Sequence, residues 1–350
     1  MDNKTDKNSG RSGYTLEQLA ELLGLTFEGN PETQISGIAT LNSATQTDLS
    51  FYHNQRYFSD LEKTSAGAVI VSPDSAADCP VNVLLSENPY LAYARASMLF
   101  ARGNSLPATV HPSAIIDPSV ELGQDVAIGP NVVIGADCEI GDRVSIGPNT
   151  SIAQHCSIGA DSQLQSNVVF YADVSVGERA IIHSGVVIGG DGFGFARDGE
   201  KQVKIAQLGG VQIGNDVEIG AGTTIDRGAL EDTCIDDGVK IDNQVQIAHN
   251  VKVGANSVIC GCSAIAGSST LGKNCIIAGA VGIINHVTIA DGVTVTAMSL
   301  VNRSIREKGV YSSGTGLVET ATWKKNIVHF RQLDSLNSRV RHLEKQNRDN

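Results

Sequence analysis

An aliphatic or aromatic residue recurs at every sixth position through most of this chain. From Val110 the series runs Ile116, Leu122, Ile128, Ile134, Ile140, Ile146, Ile152, Ile158, Leu164, Phe170, Val176, Ile182 and Ile188. It breaks, resumes at Ile213, Ile219 and Ile225, shifts by four residues around Ala229 to Asp232, and then runs from Ile235 through Ile247 and Ile265 to Val301. A period of six is neither the 2 of a strand nor the 3.6 of a helix. It predicts a mainly β fold, a parallel β-helix in which each hexad makes one flat side. Three hexads close a triangular coil, and nearly ten coils stack at the strand spacing of about 4.8 Å. Composition agrees, because 37 glycines with only 5% aromatic residues suit a frequently turned core of small aliphatic side chains. Glycine often follows the aliphatic, as at Gly123, Gly141, Gly254 and Gly272. It is expected there to supply the positive φ of a corner.

The flanks lack the repeat, which divides the chain into residues 1–108, 109–306 and 307–350. Before the repeat, Thr15 to Leu25 reads as an amphipathic helix with a Thr15–Gln18 capping box. Ala66 to Ser72 reads as a buried strand, and Pro89 to Phe100 as a helix with proline in its first turn. These predict a small N-terminal α/β domain. After the repeat, Trp323, Ile327, Phe330, Leu333, Leu336, Val340 and Leu343 keep helical spacing, so C-terminal helices are expected; in a trimer three of them could bundle. The break from Gly189 to Gln212 contains GGDGFGF after a strand. No helix follows it, so it fails the context of a dinucleotide-binding loop. It is expected to leave the prism and border an active site.

Several classes of function are disfavoured. Met1 to Ala20 has no apolar core of a signal peptide, and no segment is long and apolar enough to span a bilayer, so a cytoplasmic protein is expected. Seven cysteines without a CxxC pair argue against a disulfide framework or a thiolate zinc site. Cys138, Cys156 and Cys275 each precede a repeat aliphatic by two residues and are read as small reduced core residues. From Arg303 onward there are 10 Lys/Arg against 5 Asp/Glu, which leaves the preceding 302 residues at −17. An acidic body of this kind is not that of a nucleic-acid binder. The basic tail could steer an acidic protein partner.

A β-helix core is chemically inert, so candidate groups must interrupt the pattern at its surface. His249 lies two residues after Ile247, and Asp242 seven residues earlier on the previous side. Gly267, 18 residues after His249, falls in the same register one coil above. His286 lies two coils beyond His249, offset by one residue, at about 10 Å along one edge. An imidazole titrates near neutrality and suits a general base. A glycine above it can bring a bare backbone N–H to a reacting carbonyl. Together they read as a base with an oxyanion donor. A zinc pair of the kind found in β-helical carbonic anhydrases would need a second histidine five residues after His249, and Gly254 stands there; no metal is expected. In LSFYHNQRYF, Phe51, Asn54 and Tyr57 could stack on and hydrogen-bond a uracil ring, or pack as a surface loop.

The motif of aliphatic, glycine and four variable residues resembles the hexapeptide acyltransferases, which are left-handed and usually trimeric. That handedness is implied by the resemblance, since chain sterics alone favour right-handed crossovers. IGNDVEIGAGTTIDRGALEDT, IDNQVQIAHNVKVG and TVTAMSLVNRSIREKGVYSSG resemble the UDP-3-O-acylglucosamine N-acyltransferase family over most of the chain. The resemblance implies a homotrimer from a Gram-negative bacterium. It would transfer an (R)-3-hydroxyacyl group from the phosphopantetheine thioester of acyl carrier protein to the 2-amine of UDP-3-O-acylglucosamine in lipid A biosynthesis, with no bound cofactor. It implies His249 as general base, Asp242 as its acidic partner and Gly267 as oxyanion donor. His286 would lie near the donor or nucleotide phosphates, Phe51, Asn54 and Tyr57 at the uracil, and Arg303 where the phosphopantetheine arm arrives. Two rivals stand beside this reading. An O-acyltransferase on UDP-N-acetylglucosamine would lack residues 1–108, and a non-catalytic β-helix would be indifferent to loss of His249.

Overall fold

A computed structural model describes residues 13–101, 106–314 and 316–348. The start of the segment searched for a signal peptide, residues 1–12, lies outside the described residues. The chain divides into two compact units, Met1–Asn104 and Ser105–Asn350.

In the N-terminal unit a five-stranded sheet runs in the order Thr26–Glu28, Asn82–Leu85, Ala68–Val71, Asp48–Phe51 and Gly37–Ile38. Helices α1 (Leu16–Leu23), α2 (Phe58–Leu61) and α3 (Pro89–Phe100) accompany it. The expected strand is the central one and all four of its residues are buried. Their alternation decides the two faces: Ala68 and Ile70 join Leu16, Leu19 and Ala96, while Val69 and Val71 join Tyr52 and Leu61. The capping box at α1 forms as predicted, with Gln18 N–H donating to Thr15 Oγ1 at 3.1 Å and Thr15 N–H to Gln18 Oε1 at 2.8 Å. Gly24, at φ 65°, ends that helix. Asn88 caps α3 ahead of its Pro89.

The second unit is the expected prism, three parallel sheets of ten, ten and nine strands. The first sheet starts at Ala127–Ile128, the second at Ile115–Ile116 and the third at Glu121–Leu122. Register is strict. Ile128 lies opposite Ile146, Ile134 opposite Ile152 and Ile140 opposite Ile158, so each aliphatic stacks on its counterpart one coil away. The repeat aliphatics fill a single core. Cys138, Cys156 and Cys275 are buried in it as free thiols, and the thiol of Cys138 donates to Ala153 O at 3.0 Å. Burial pushes the Cys156 thiol up to about 12, which keeps it protonated and inert. The prism runs slightly beyond the expected boundary at 306, because Val310–Tyr311 still pairs with Thr294–Val295 of the first sheet.

The expected reason for the repeat glycines requires correction. Apart from Gly189, the glycine after each aliphatic does not have positive φ. Positive φ falls two residues later, on Asp125, Asn131, Asn149, Asn167, Asn250, Asn256 and their equivalents. Asn and Asp tolerate this region through local hydrogen bonding. The glycines are there for close approach: a Cβ on Gly123 would lie 2.6 Å from Asp142 N, and one on Gly141 would lie 2.7 Å from Ala160 N.

Beyond the prism, helices α4 (Thr320–Arg331) and α5 (Leu333–Arg348) replace the single run of helical spacing, with a break at Gln332. Trp323, Phe330, Leu333, Leu336, Val340 and Leu343 are all exposed. No helix among the described residues is long and apolar enough to cross a membrane.

Candidate active site

Both interruptions of the six-residue register fall at one edge of the prism. After Val187–Gly190 in the second sheet, the chain leaves as a hairpin of Phe195–Asp198 and Lys201–Lys204 and re-enters at Val211–Ile213 in the third sheet. One coil later, the extra residues around Ala229 to Asp232 again separate a second-sheet strand, Thr224–Asp226, from a third-sheet strand, Thr233–Ile235. The next coil carries His249 on the same edge, between Gln246–Ile247 and Lys252–Val253. The repeat is regular where it only packs and irregular where it surrounds this histidine.

His249 is half-buried. Its Nδ1 lies 3.0 Å from Asn250 Oδ1. The Asn250 amide is fixed from both sides, since Nδ2 donates to Glu231 O at 2.7 Å and Oδ1 accepts from Ala229 N–H at 3.0 Å. Oδ1 can therefore only accept from the imidazole. The ring proton sits on Nδ1, and Nε2 presents a lone pair. Asn250 can turn its side chain this way because it occupies the positive-φ corner, φ 59°, immediately after His249.

The Nε2–Cε1 side of the ring lies against Gly267. A Cβ built there would lie 2.6 Å from His249 Nε2 and 2.7 Å from Cε1, so only glycine leaves space for the ring. The two coils are tied by Ser268 N–H donating to His249 O at 2.9 Å, and the next by His286 N–H donating to Gly267 O at 3.1 Å. Gly267 N–H has no hydrogen-bond partner among the described residues. His286 is exposed at a positive-φ corner. Arg303 follows on the same edge three coils above His249, about 14 Å at the strand spacing. It lines a cavity of about 560 Å³ with Leu300, Ile305 and Tyr311. The structure thus aligns His249, Gly267, His286 and Arg303 along one edge, as the register predicts.

It does not bring Asp242 to His249 within the chain. Asp242 stands at the preceding edge, between the first and second sheets, and its carboxylate accepts from Asn243 N–H at 2.7 Å and Gly261 N–H at 2.8 Å. It lines an open groove with His183, Glu218, Lys240 and Cys260. Six residues turn the chain through one side of the triangle, so two residues seven apart occupy different corners, in keeping with their placement on successive sides. Within the chain the group that orients His249 is the amide of Asn250, which sequence reasoning missed. Its place in the positive-φ position beside His249 was the available signal.

The hairpin returns to this histidine, as expected of a loop bordering the site. A Cβ on Gly192 would lie 2.6 Å from His249 Cβ and 2.9 Å from both His249 Cδ2 and Gln207 Oε1. Gly192 of GGDGFGF thus allows the loop to press against the imidazole. Gln207 is buried under the loop, its Nε2 donating to Ile205 O at 3.1 Å. Asp226, also missed, lies one coil below His249. Burial pushes its carboxyl above the usual range, while the Gln246 hydrogen bond and the nearby His249 work the other way. No group of metal-ligating side chains occurs among the described residues.

In the N-terminal unit, Phe51 stacks on Tyr93 with centroids 3.9 Å apart and lies 5.5 Å from His53. Asn54 caps a short 3₁₀ turn by accepting from Arg56 N–H at 3.0 Å, which leaves its amide N–H groups free to donate outward. Tyr57 and Tyr90 are the open rings, 45% and 57% exposed. Of the three expected residues only Phe51 enters an aromatic cluster, with His53, Tyr90 and Tyr93, that was not foreseen.

Comparison with known proteins gives concordant matches. Residues 32–99 match the family described as UDP-3-O-(3-hydroxymyristoyl) glucosamine N-acyltransferase, LpxD. Residues 119–154 and 155–190 match the bacterial transferase hexapeptide family. The UDP-3-O-acylglucosamine N-acyltransferase of Hahella chejuensis is 51% identical, covering 95% of each chain. That of Chromohalobacter salexigens is 50% identical over 95% of this chain and 96% of its own. Among solved structures, LpxA from Acinetobacter baumannii aligns with a TM-score of 0.46 and 24% identity, over 59% of this chain and 71% of that one.

Proposed function

The chain belongs to the UDP-3-O-acylglucosamine N-acyltransferase family, and from that premise we propose that His249 is the general base of the acyl transfer and Gly267 N–H its oxyanion donor. The observation that carries this reading is the orientation of His249, whose Nδ1 is taken by Asn250 and whose free Nε2 lies beside a glycine with an uncommitted N–H. The 2-amine of UDP-3-O-acylglucosamine attacks the thioester carbonyl of an (R)-3-hydroxyacyl group held on acyl carrier protein. As the C–N bond forms, Nε2 takes a proton from the nitrogen. The carbonyl oxygen gains charge against Gly267 N–H. The C–S bond then breaks, and the thiolate leaves with the proton returned from the imidazolium. No covalent enzyme intermediate is needed.

Arg303, on the same edge above His249, marks the path of the phosphopantetheine arm, and His286 lies between them. Phe51, Asn54 and Tyr57 are assigned to the uracil, with ring faces for stacking and the Asn54 amide for a base carbonyl. Asp242 enters only as a residue supplied by a neighbouring copy in a homotrimer. Its exposed position in an open groove at the adjacent edge supports that reading.

Replacing His249 by Ala tests the proposal. The variant should fold as the parent does and lose acyl transfer by about 10²–10⁴-fold, the range for a general base. Full activity would remove His249 from the chemistry. Activity on UDP-N-acetylglucosamine in place of UDP-3-O-acylglucosamine would overturn the choice of acceptor.

A further inference from the structure

Asp226 belongs to neither the packing of the prism nor the proton transfer just described. In the second sheet Thr224 lies opposite Gln246 and Ile225 opposite Ile247. Asp226 therefore sits beneath Ala248, one strand spacing of about 4.8 Å below the turn that carries His249. The hairpin begins beside it, with Arg227 N–H donating to Gly190 O at 2.8 Å.

The carboxylate is half-buried and held from one side. Gln246 Nε2 donates to Asp226 Oδ2 at 3.0 Å, and the orientation of that amide is fixed because Thr224 Oγ1 donates to Gln246 Oε1. Oδ1 has no hydrogen-bond partner among the described residues. That oxygen is left open to accept from a ligand. A substrate N–H in this place would satisfy it.

We propose that Asp226 Oδ1 accepts one N–H of the acceptor's 2-amino group and so selects an amine over a hydroxyl. The inference rests on the N-acyltransferase reading above and deepens it. An amine carries two hydrogens. With one directed to Asp226 and the other to His249 Nε2, the nitrogen lone pair is left pointing at the thioester carbonyl. The proton on the His249 side leaves as the C–N bond forms and passes to the departing thiolate. The hydrogen on the Asp226 side remains as the N–H of the product amide. A hydroxyl has a single hydrogen. If His249 takes it, the oxygen meets the carboxylate lone pair to lone pair, with no hydrogen bond between them.

Asp226→Asn in the full-length protein is the test, because it is isosteric. Gln246 Nε2 would still find the side-chain oxygen, so the variant would present an NH₂ donor where the parent presents an acceptor. Steady-state transfer is measured with UDP-3-O-acylglucosamine and with the analogue bearing a 2-hydroxyl. The parent should prefer the amine. The variant should lose about 10²-fold in kcat/KM on the amine, as expected for a lost hydrogen bond to a charged group, with little change on the hydroxyl analogue. An unchanged ratio, or an equal fall on both acceptors, would overturn the role. So would a parent enzyme that shows no preference, which needs no variant. A parent inactive on both sugar nucleotides would instead sink the acyl-transfer reading itself.

Discussion

At His249 three neighbours each fix one property of the ring. Asn250 fixes which nitrogen carries the proton, Gly267 leaves the other nitrogen room, and Gly192 closes the carbon edge. None of the three carries a charge, so the site achieves orientation through amide dipoles and missing side chains. Gly267 offers a sharp test at this scale. Its φ is not positive, so Ala is conformationally acceptable and its only effect is the methyl group 2.6 Å from Nε2. Gly267→Ala should keep the backbone N–H and the melting temperature, yet lower kcat about 10²-fold by displacing the base by roughly 1 Å. Unimpaired turnover would mean that the imidazole does not work in the position seen here. Of these residues, His249 and Gly267 were legible from an 18-residue spacing, because register alone places them on adjacent coils. Asn250 and Asp226 were not. Their roles depend on which way a side chain turns at a corner, and spacing says nothing of that.

Among the elements, the hairpin of Phe195–Asp198 and Lys201–Lys204 is the one that departs from the repeat and matters most to the site. Its residues are exposed throughout, and Lys204 pairs with Asp191 at its base. What ties it to the chemistry is Gly192 against His249. A Gly192→Ala change places a methyl 2.6 Å from His249 Cβ, so the loop must lift or the ring must turn. Acyl transfer should fall by about 10²-fold while the circular-dichroism melting curve stays that of the parent, because the prism core is untouched. A cooperative loss of stability instead would show that the hairpin supports the fold rather than the site. The sequence announced this element as a gap in the register but could not show that it folds back. Only a non-local contact decides that.

For the whole molecule, charge separates along the chain. The body before Arg303 is strongly acidic and the tail carries the basic surplus, with Lys324, Lys325, Arg331, Arg339 and Arg341 on α4 and α5. If this tail receives an acidic carrier protein, carrier affinity should fall by at least tenfold between about 50 and 500 mM salt, where the screening length shrinks severalfold. Titration calorimetry across that range would settle it, and salt-independent binding would refute the tail's role. Trp323, Phe330, Leu333, Leu336, Val340 and Leu343 are exposed on the same helices; if these bundle in a trimer, sedimentation should give three times the mass of one chain.

The sequence by itself determined the parallel β-helix, the reduced core cysteines and the edge shared by His249, Gly267, His286 and Arg303. These follow from periodicity, and a strict period of six leaves the stacked residues no alternative neighbours. The tertiary structure decided what periodicity does not encode. It put positive φ two residues past the glycines that follow the aliphatics, and gave the imidazole an amide partner. It also brought Asp226 beneath His249 and the hairpin across it. Each of these depends on the direction of a side chain or the return of a loop, and both are set by contacts between residues far apart in the chain.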